Sequence, residues 1–127
     1  MKDKNLSPQQ SKTVRYLHQV NQLSHHRLRV WDKARQLVRL VNQHPIGDAE
    51  LRNQASRAAK SVGCNIAEGA ALDGAAKKRH YRIARGSVIE VVAAYELAMD
   101  CGETVTIDEV AHLAAAIASM LTGLIRK

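Results

Sequence analysis

The sequence predicts an all-α protein, a small helix bundle, on three observations. Hydrophobic residues fill 46% of the 127 positions but aromatics only 3%, with no phenylalanine, so the core must be built from Ala, Val, Leu and Ile at short distances. No segment alternates cleanly between apolar and polar residues, whereas apolar positions recur at three- and four-residue spacing along most of the chain. Prolines (two) and glycines (seven) are few enough to leave long uninterrupted helices. The length suits one domain.

Residues 1–25 read as a polar arm, in which Ser7-Pro8 can open a short helix carrying Val14, Leu17 and Val20. The four-helix domain follows over 26–127. From His26 to Gln43, Val30, Trp31, Ala34, Leu37, Val38 and Val41 share one helical face. His44-Pro45-Ile46-Gly47 ends that helix, and Asp48 is placed to cap a second one running to Gly69. On the second helix Leu51, Ala55, Ala58, Val62 and Ile66 form a core stripe, with Gln54, Arg57, Ser61, Asn65 and Glu68 along its edge.

A connection over 70–74 leads to a third helix from Ala75 to Cys101. Ile83, Ser87, Glu90, Ala94 and Leu97 fall on one face of it, which puts the Glu90 carboxylate in apolar surroundings. A buried carboxylate must find donors or take a proton. Arg57 is the natural partner, with Asn65, Ser87 or Arg85 satisfying the remaining lone pairs. Gly63 and Gly86, mid-helix, cost about 1 kcal/mol each relative to alanine, which close helix approach can offset. Gly69 reads as a helix-ending glycine.

The stretch SVIEVVAAYELAM is apolar on nearly every side, more than one bundle core can bury. Gly102 stops the third helix, and Thr106-Ile107-Asp108-Glu109 reads as a capping box, Thr106 capping and Glu109 reaching back. The fourth helix carries Val110, Leu113, Ala114, Ile117, Leu121 and Leu124 on one face, and no formal charge lies between Val110 and Ile125. A solvated helix carries some charge, so this one is expected to be buried against other subunits as well as its own neighbours.

Arg57-Ala58-Ala59-Lys60-Ser61-Val62, then Asn65-Ile66-Ala67-Glu68-Gly69, then Tyr81-Arg82-Ile83-Ala84-Arg85-Gly86-Ser87 and Glu90, resemble the bacterial family named after the 23S ribosomal RNA intervening-sequence protein. Val30-Trp31-Asp32-Lys33-Ala34 and Leu121-Thr122-Gly123-Leu124-Ile125 look like the same family. The resemblance implies an antiparallel up-down four-helix bundle assembling as a homopentamer. It implies less about activity, because the family name records where its genes lie. A related branch serves as the accessory subunit of reverse transcriptase in diversity-generating retroelements, which implies nucleic acid and a nucleic-acid-processing protein as partners.

Nineteen Lys and Arg against twelve Asp and Glu leave a formal +7 and a pI near 9.8. Such a surplus attracts polyanions, RNA or DNA above all. Lys78, Arg82 and Arg85 form a stripe with Lys77 and Arg79 beside it, which Arg29, Lys33, Arg35 and Arg39 could extend. Two readings stand: a solvated face with Arg85 tied to Glu68 or Glu90, or a phosphate-contacting patch repeated by oligomer symmetry. Tyr81 is the one aromatic in the stripe, so base-specific readout of single strands is not expected.

No catalytic, metal or cofactor site is expected, and the protein reads as a non-enzyme. Glu109 and His112 form a Glu-x-x-His pair, but a carboxylate-bridged metal site needs a second pair and two further glutamates. His25-His26 are adjacent, which does not set both on one face, and read as surface residues. Cys64 reads as a small packing residue, Trp31 as a core or interface anchor, and 69–74 lacks the Gly-Lys-Ser/Thr of a phosphate loop. Two cysteines in helical pattern, no signal-peptide core in MKDKNLSPQQSK and a fourth helix read as short for a membrane span together predict a cytoplasmic protein.

Overall fold

The computed structural model describes residues 7–10 and 23–127; most of the expected arm, including Val14, Leu17 and Val20, lies outside the described residues. All regular structure in the described residues is helical: residues 8–10 are helical, and a 3-10 turn, Ser24–Arg27, precedes α1 (Arg29–Gln43), α2 (Ala49–Ala70), α3 (Gly74–Asp100) and α4 (Asp108–Arg126).

Each helix follows from its sequence. Asp48 caps α2 as expected, its Oδ1 accepting from the Leu51 amide at 2.9 Å. A second anion stands at the same end: the Glu103 carboxylate, from the α3–α4 connection, accepts from the Gly47 amide at 2.7 Å and the Asp48 amide at 3.0 Å. Gly102, at φ +89°, turns the chain out of α3 as only glycine does easily. The capping box at α4 does not form. The helix begins at Asp108 after Ile107, with no side-chain cap. Val105 and Ile107 instead pack against the core and set the entry angle, leaving Thr106 exposed.

One apolar cluster joins the four helices. Leu37 of α1, Val62 and Ile66 of α2, Val88, Val91 and Tyr95 of α3, and Val110, Ile117 and Leu121 of α4 are fully buried in it, with Ile46 closing it from the α1–α2 connection. Fully burying a side chain of the Val, Leu or Ile class stabilises by about 1.5–3 kcal/mol. α2 packs on α1 and α3, and α4 on α3 and α1, so the contacts form a closed ring around the core.

The α2–α3 contact is the most extensive, because α2 presents alanines and glycines to its neighbours. Gly69 lies inside α2, not past its end, and no positive φ is needed there. A Cβ on Gly69 would stand 2.7 Å from the Tyr81 ring and 3.2 Å from the Lys77 carbonyl oxygen, so glycine is what lets α3 start against it. Gly63 is buried beside Trp31, whereas Gly86 faces open space and brings no helices together.

The face of α3 that enters the core is Tyr81, Ala84, Val88, Val91, Tyr95 and Ala98. It is rotated from the expected Ile83–Glu90–Leu97 face, since the observed face carries no charged side chain whereas burying the other would desolvate the Glu90 carboxylate. Ile83, Glu90 and Leu97 are therefore exposed, while Ser87 and Ala94 are buried at the boundary. Ile89, Leu97 and Met99 leave an apolar outer surface on α3. Val88, Ile89, Val92 and Ala93 border a groove of about 300 Å³ whose opposite side is Ala111, Ala114, Ala115 and Ala118 of α4. α4 proves long and apolar enough for a membrane span by length and composition, although its Val110, Ala114, Ile117, Leu121 and Ile125 stripe is buried in the core.

Candidate functional site

Four contacts gather the start of α1, the end of α2, the start of α3 and the end of α4. Trp31 lies against Gly63; Gly69 lies against Tyr81; Arg85 Nη1 donates to Thr122 Oγ1 at 3.0 Å; and 27–30 line one groove with Met120, Gly123, Leu124 and Lys127. Arg27, Arg29, Lys33, Lys77, Lys78, Arg79, Arg82, Arg85, Arg126 and Lys127 belong to these segments, against Asp32, Glu68 and Asp73. At the other end Tyr95 donates its hydroxyl to the His44 carbonyl at 2.7 Å and Glu103 holds Gly47 and Asp48. That end carries Asp48, Glu50, Glu96, Asp100, Glu103, Asp108 and Glu109, against Arg39 and Arg52. Among the described residues the positive charge is therefore concentrated at one end.

Of the expected stripe, Arg79, Arg82 and Arg29 are exposed and Lys77, Lys78, Arg85 and Lys33 half-buried. Among the described residues none of these seven is ion-paired. Arg85 is tied to Thr122 and not to Glu68 or Glu90, so the solvated-pair arrangement of the stripe does not occur. Lys33 reaches a separate groove of about 450 Å³ between α1 and α4, with Arg39, Gln36, Gln43 and His112. Tyr81 is buried, its hydroxyl pushed above its ordinary acidity range by desolvation, and offers no stacking face.

The polar motif is only partly assembled as expected. Arg57 and Glu90 are both exposed and make no bond to each other, so the buried ion pair is absent. Ser61, Asn65, Glu68 and Ser87 do come together, joined by His80. Ser61 Oγ lies 2.9 Å from Ser87 Oγ, and Asn65 Nδ2 donates to the Ser61 carbonyl at 2.9 Å and to Ser61 Oγ at 3.1 Å. Asn65 Oδ1 is thereby left to accept from His80 Nδ1 at 2.9 Å, and Glu68 Oε2 lies 3.2 Å from the same nitrogen. Both partners only accept, so Nδ1 carries the proton. The imidazole meets the serines through the Asn65 amide, and neither hydroxyl contacts a ring nitrogen. This arrangement locks α2 to α3 and lacks the direct nucleophile–base contact that acyl transfer requires. His80 is seven residues before Ser87, a spacing that places both on one face, which is the signal by which sequence could have found it.

His25 and His26 do not sit free at the surface. Their rings lie 4.2 Å apart, and His25 meets the Trp31 ring edge-on at 4.5 Å. Burial first, then the charge of His26, holds the His25 imidazole below its ordinary range. Among the described residues, Trp31 Nε1 and His26 Nδ1 are buried without a hydrogen-bond partner. Cys64 is exposed and not a packing residue; with His25 and Glu68 it lines an open cleft between the 3-10 turn and the end of α2.

These features define a small all-helical protein with a cation-rich end and a polar lock between two of its helices. The family model described as 23S rRNA-intervening sequence protein matches residues 26–123, and the chain belongs to that family. A comparison with curated proteins found no match.

Proposed function

We propose that this chain is a non-enzymatic, cytoplasmic accessory protein that assembles with copies of itself and binds nucleic acid, or a nucleic-acid-processing protein, through its cation-rich end. The observation that carries the reading is that Lys77, Lys78, Arg79 and Arg82 share one end with Arg27, Arg29 and Lys33 and are unpaired among the described residues. Unpaired cations at one end release counterions when phosphates replace them, so binding is strong at low salt and weakly selective for sequence.

The helices are read as an antiparallel up-down four-helix bundle, supported by the closed ring of contacts and by the joining of the end of α1 to the end of α3 through His44 and Tyr95. The assembly is read as a homopentamer, in line with the resemblance. The apolar outer surface of α3 around Ile89 and Leu97 and the alanine-lined groove beside it support burial between copies.

The test is fluorescence anisotropy of labelled duplex DNA, duplex RNA and single-stranded RNA across a salt series, with a Lys78→Glu, Arg82→Glu variant alongside. The reading expects affinity that falls steeply with salt and is lost in the variant. Absence of binding at low salt overturns it and leaves a protein-interaction assembly, for which the exposed apolar surface of α3 is the supporting observation.

A further inference from the structure

We propose that the cleft between the 3-10 turn and the end of α2 is a base-binding pocket that takes a guanine from a single-stranded nucleic acid, an inference that rests on the nucleic-acid reading above. The cleft is open and about 500 Å³, well above what one purine needs. One wall is the His25 ring, held by stacking on His26 and by the edge of Trp31. Opposite it, Cys64, Ala67 and Ala71 are small, so the space beside the ring is not filled from α2.

The charge pattern selects the occupant. Cations gather at this end, yet the acidic residue lining the cleft is Glu68, two-thirds exposed, with its Oε2 3.2 Å from His80 Nδ1 at the α3 side. A carboxylate repels phosphate, so a bare anion is the wrong ligand. It accepts hydrogen bonds only, and a base edge with adjacent N–H donors is the right one. Guanine presents two such donors, N1–H and the N2 amino group, side by side, matching both carboxylate oxygens; adenine and cytosine present one amino group each. Exposed Arg27 closes the turn and exposed Arg29 opens α1, two and four residues after His25; they line the neighbouring groove with Met120 and Leu124 and add positive charge near the cleft without lining it. Stacking on an aromatic ring with a base-edge hydrogen bond and flanking phosphate contacts is how unpaired bases are held. A duplex, whose guanine edge is already paired, cannot use the cleft.

The experiment uses the full chain and its single tryptophan, Trp31, as the reporter. Its fluorescence and the anisotropy of labelled strands are followed with a single-stranded RNA octamer containing one guanine among cytosines, the all-cytosine octamer, the guanine octamer paired into a duplex, and free GMP. The expected result is a saturable change in Trp31 emission with the guanine octamer alone among the strands, about tenfold tighter binding than to the all-cytosine octamer, and weaker binding of GMP. Glu68→Gln should erase the tenfold preference, and Ala71→Phe, which fills the cleft without altering charge, should erase it as well. In both variants the salt-dependent binding of the all-cytosine octamer should persist. Equal affinity for the two single strands, or a preference that survives both variants, overturns the pocket while leaving the cation-rich end as a nucleic-acid surface. GMP binding as tightly as the octamer overturns the strand as its source. Failure of every strand to bind overturns both readings together.

Discussion

The Glu103 carboxylate spans the Gly47 and Asp48 amides with one oxygen on each, capping α2 from a connection that lies more than fifty residues further along the chain. Two charge-assisted bonds at a helix start combine the removal of orphan donors with a favourable dipole interaction. Glu103→Ala should lower stability by about 1–2 kcal/mol, and Glu103→Gln by less, in urea unfolding followed by circular dichroism. An unchanged midpoint in the alanine variant would show the cap to be idle.

Gly69 and Gly86 are both helical glycines, and the structure predicts opposite outcomes for alanine at each. At Gly69 a Cβ meets the Tyr81 ring at 2.7 Å, so Gly69→Ala should destabilise by roughly 1–3 kcal/mol despite better helix propensity. At Gly86 nothing stands within 4 Å, so Gly86→Ala should stabilise by up to about 1 kcal/mol. Thermal melts of the two variants side by side test the pair, and melting shifts of the same sign would contradict it.

The polar lock between α2 and α3 predicts a division among residues that look alike in sequence. Asn65→Ala removes the amide that links Ser61 to His80 and should cost about 1–2 kcal/mol. Arg57→Ala and Glu90→Gln, at exposed positions with no shared bond, should each stay within about 0.5 kcal/mol of the parent. A larger loss for Glu90→Gln than for Asn65→Ala would restore the ion pair as the more important contact.

The division shows what the sequence could convey. The core stripe of α2 is legible because its larger apolar residues, Leu51, Val62 and Ile66, all fall on it; Ala55, Ala58, Val62 and Ile66 are buried and Leu51 half-buried, with Ala59 buried beside them. On α3, apolar residues lie on almost every side, so periodicity alone could not say which face wins. The pattern allows the face containing Glu90, but the charge-free Tyr81–Val88–Val91–Tyr95 face takes the core. Asp48 and Gly102 were readable because their effects are local. Glu103, Thr122 and the contact between His25 and Trp31 act across the fold, and no spacing in the chain announces them.

His25 predicts an acid response. Its imidazole is held below the ordinary value of 6.5 by burial and by the neighbouring His26, so the folded state binds its proton less readily than the unfolded chain. The other ionisable groups at that cleft are Cys64 and Glu68. The contribution of His25 to stability is complete above 6.5 and is lost as pH falls through the lower folded value. Trp31 emission should report a transition below pH 6.5 that His25→Asn removes; a profile identical in the variant would assign the transition to another group.

The proposed assembly makes its own prediction. Ile89→Glu combined with Leu97→Glu places charges on the exposed apolar surface of α3, outside the chain's core. Light scattering should fall from a multiple of 14.0 kDa to the single-chain mass with helicity retained. A single-chain mass for the parent would end the assembly reading.

The separation of charge between the two ends sets a limit on what each can sense. A helix of 27 residues such as α3 is about 40 Å long, several times the ~8 Å over which physiological salt screens a charge. A polyanion approaching the cationic end therefore does not feel the carboxylates at the other, and meets ten cations against three acidic side chains. By the same screening, the carboxylates at the acidic end neither help nor hinder what approaches the cationic one.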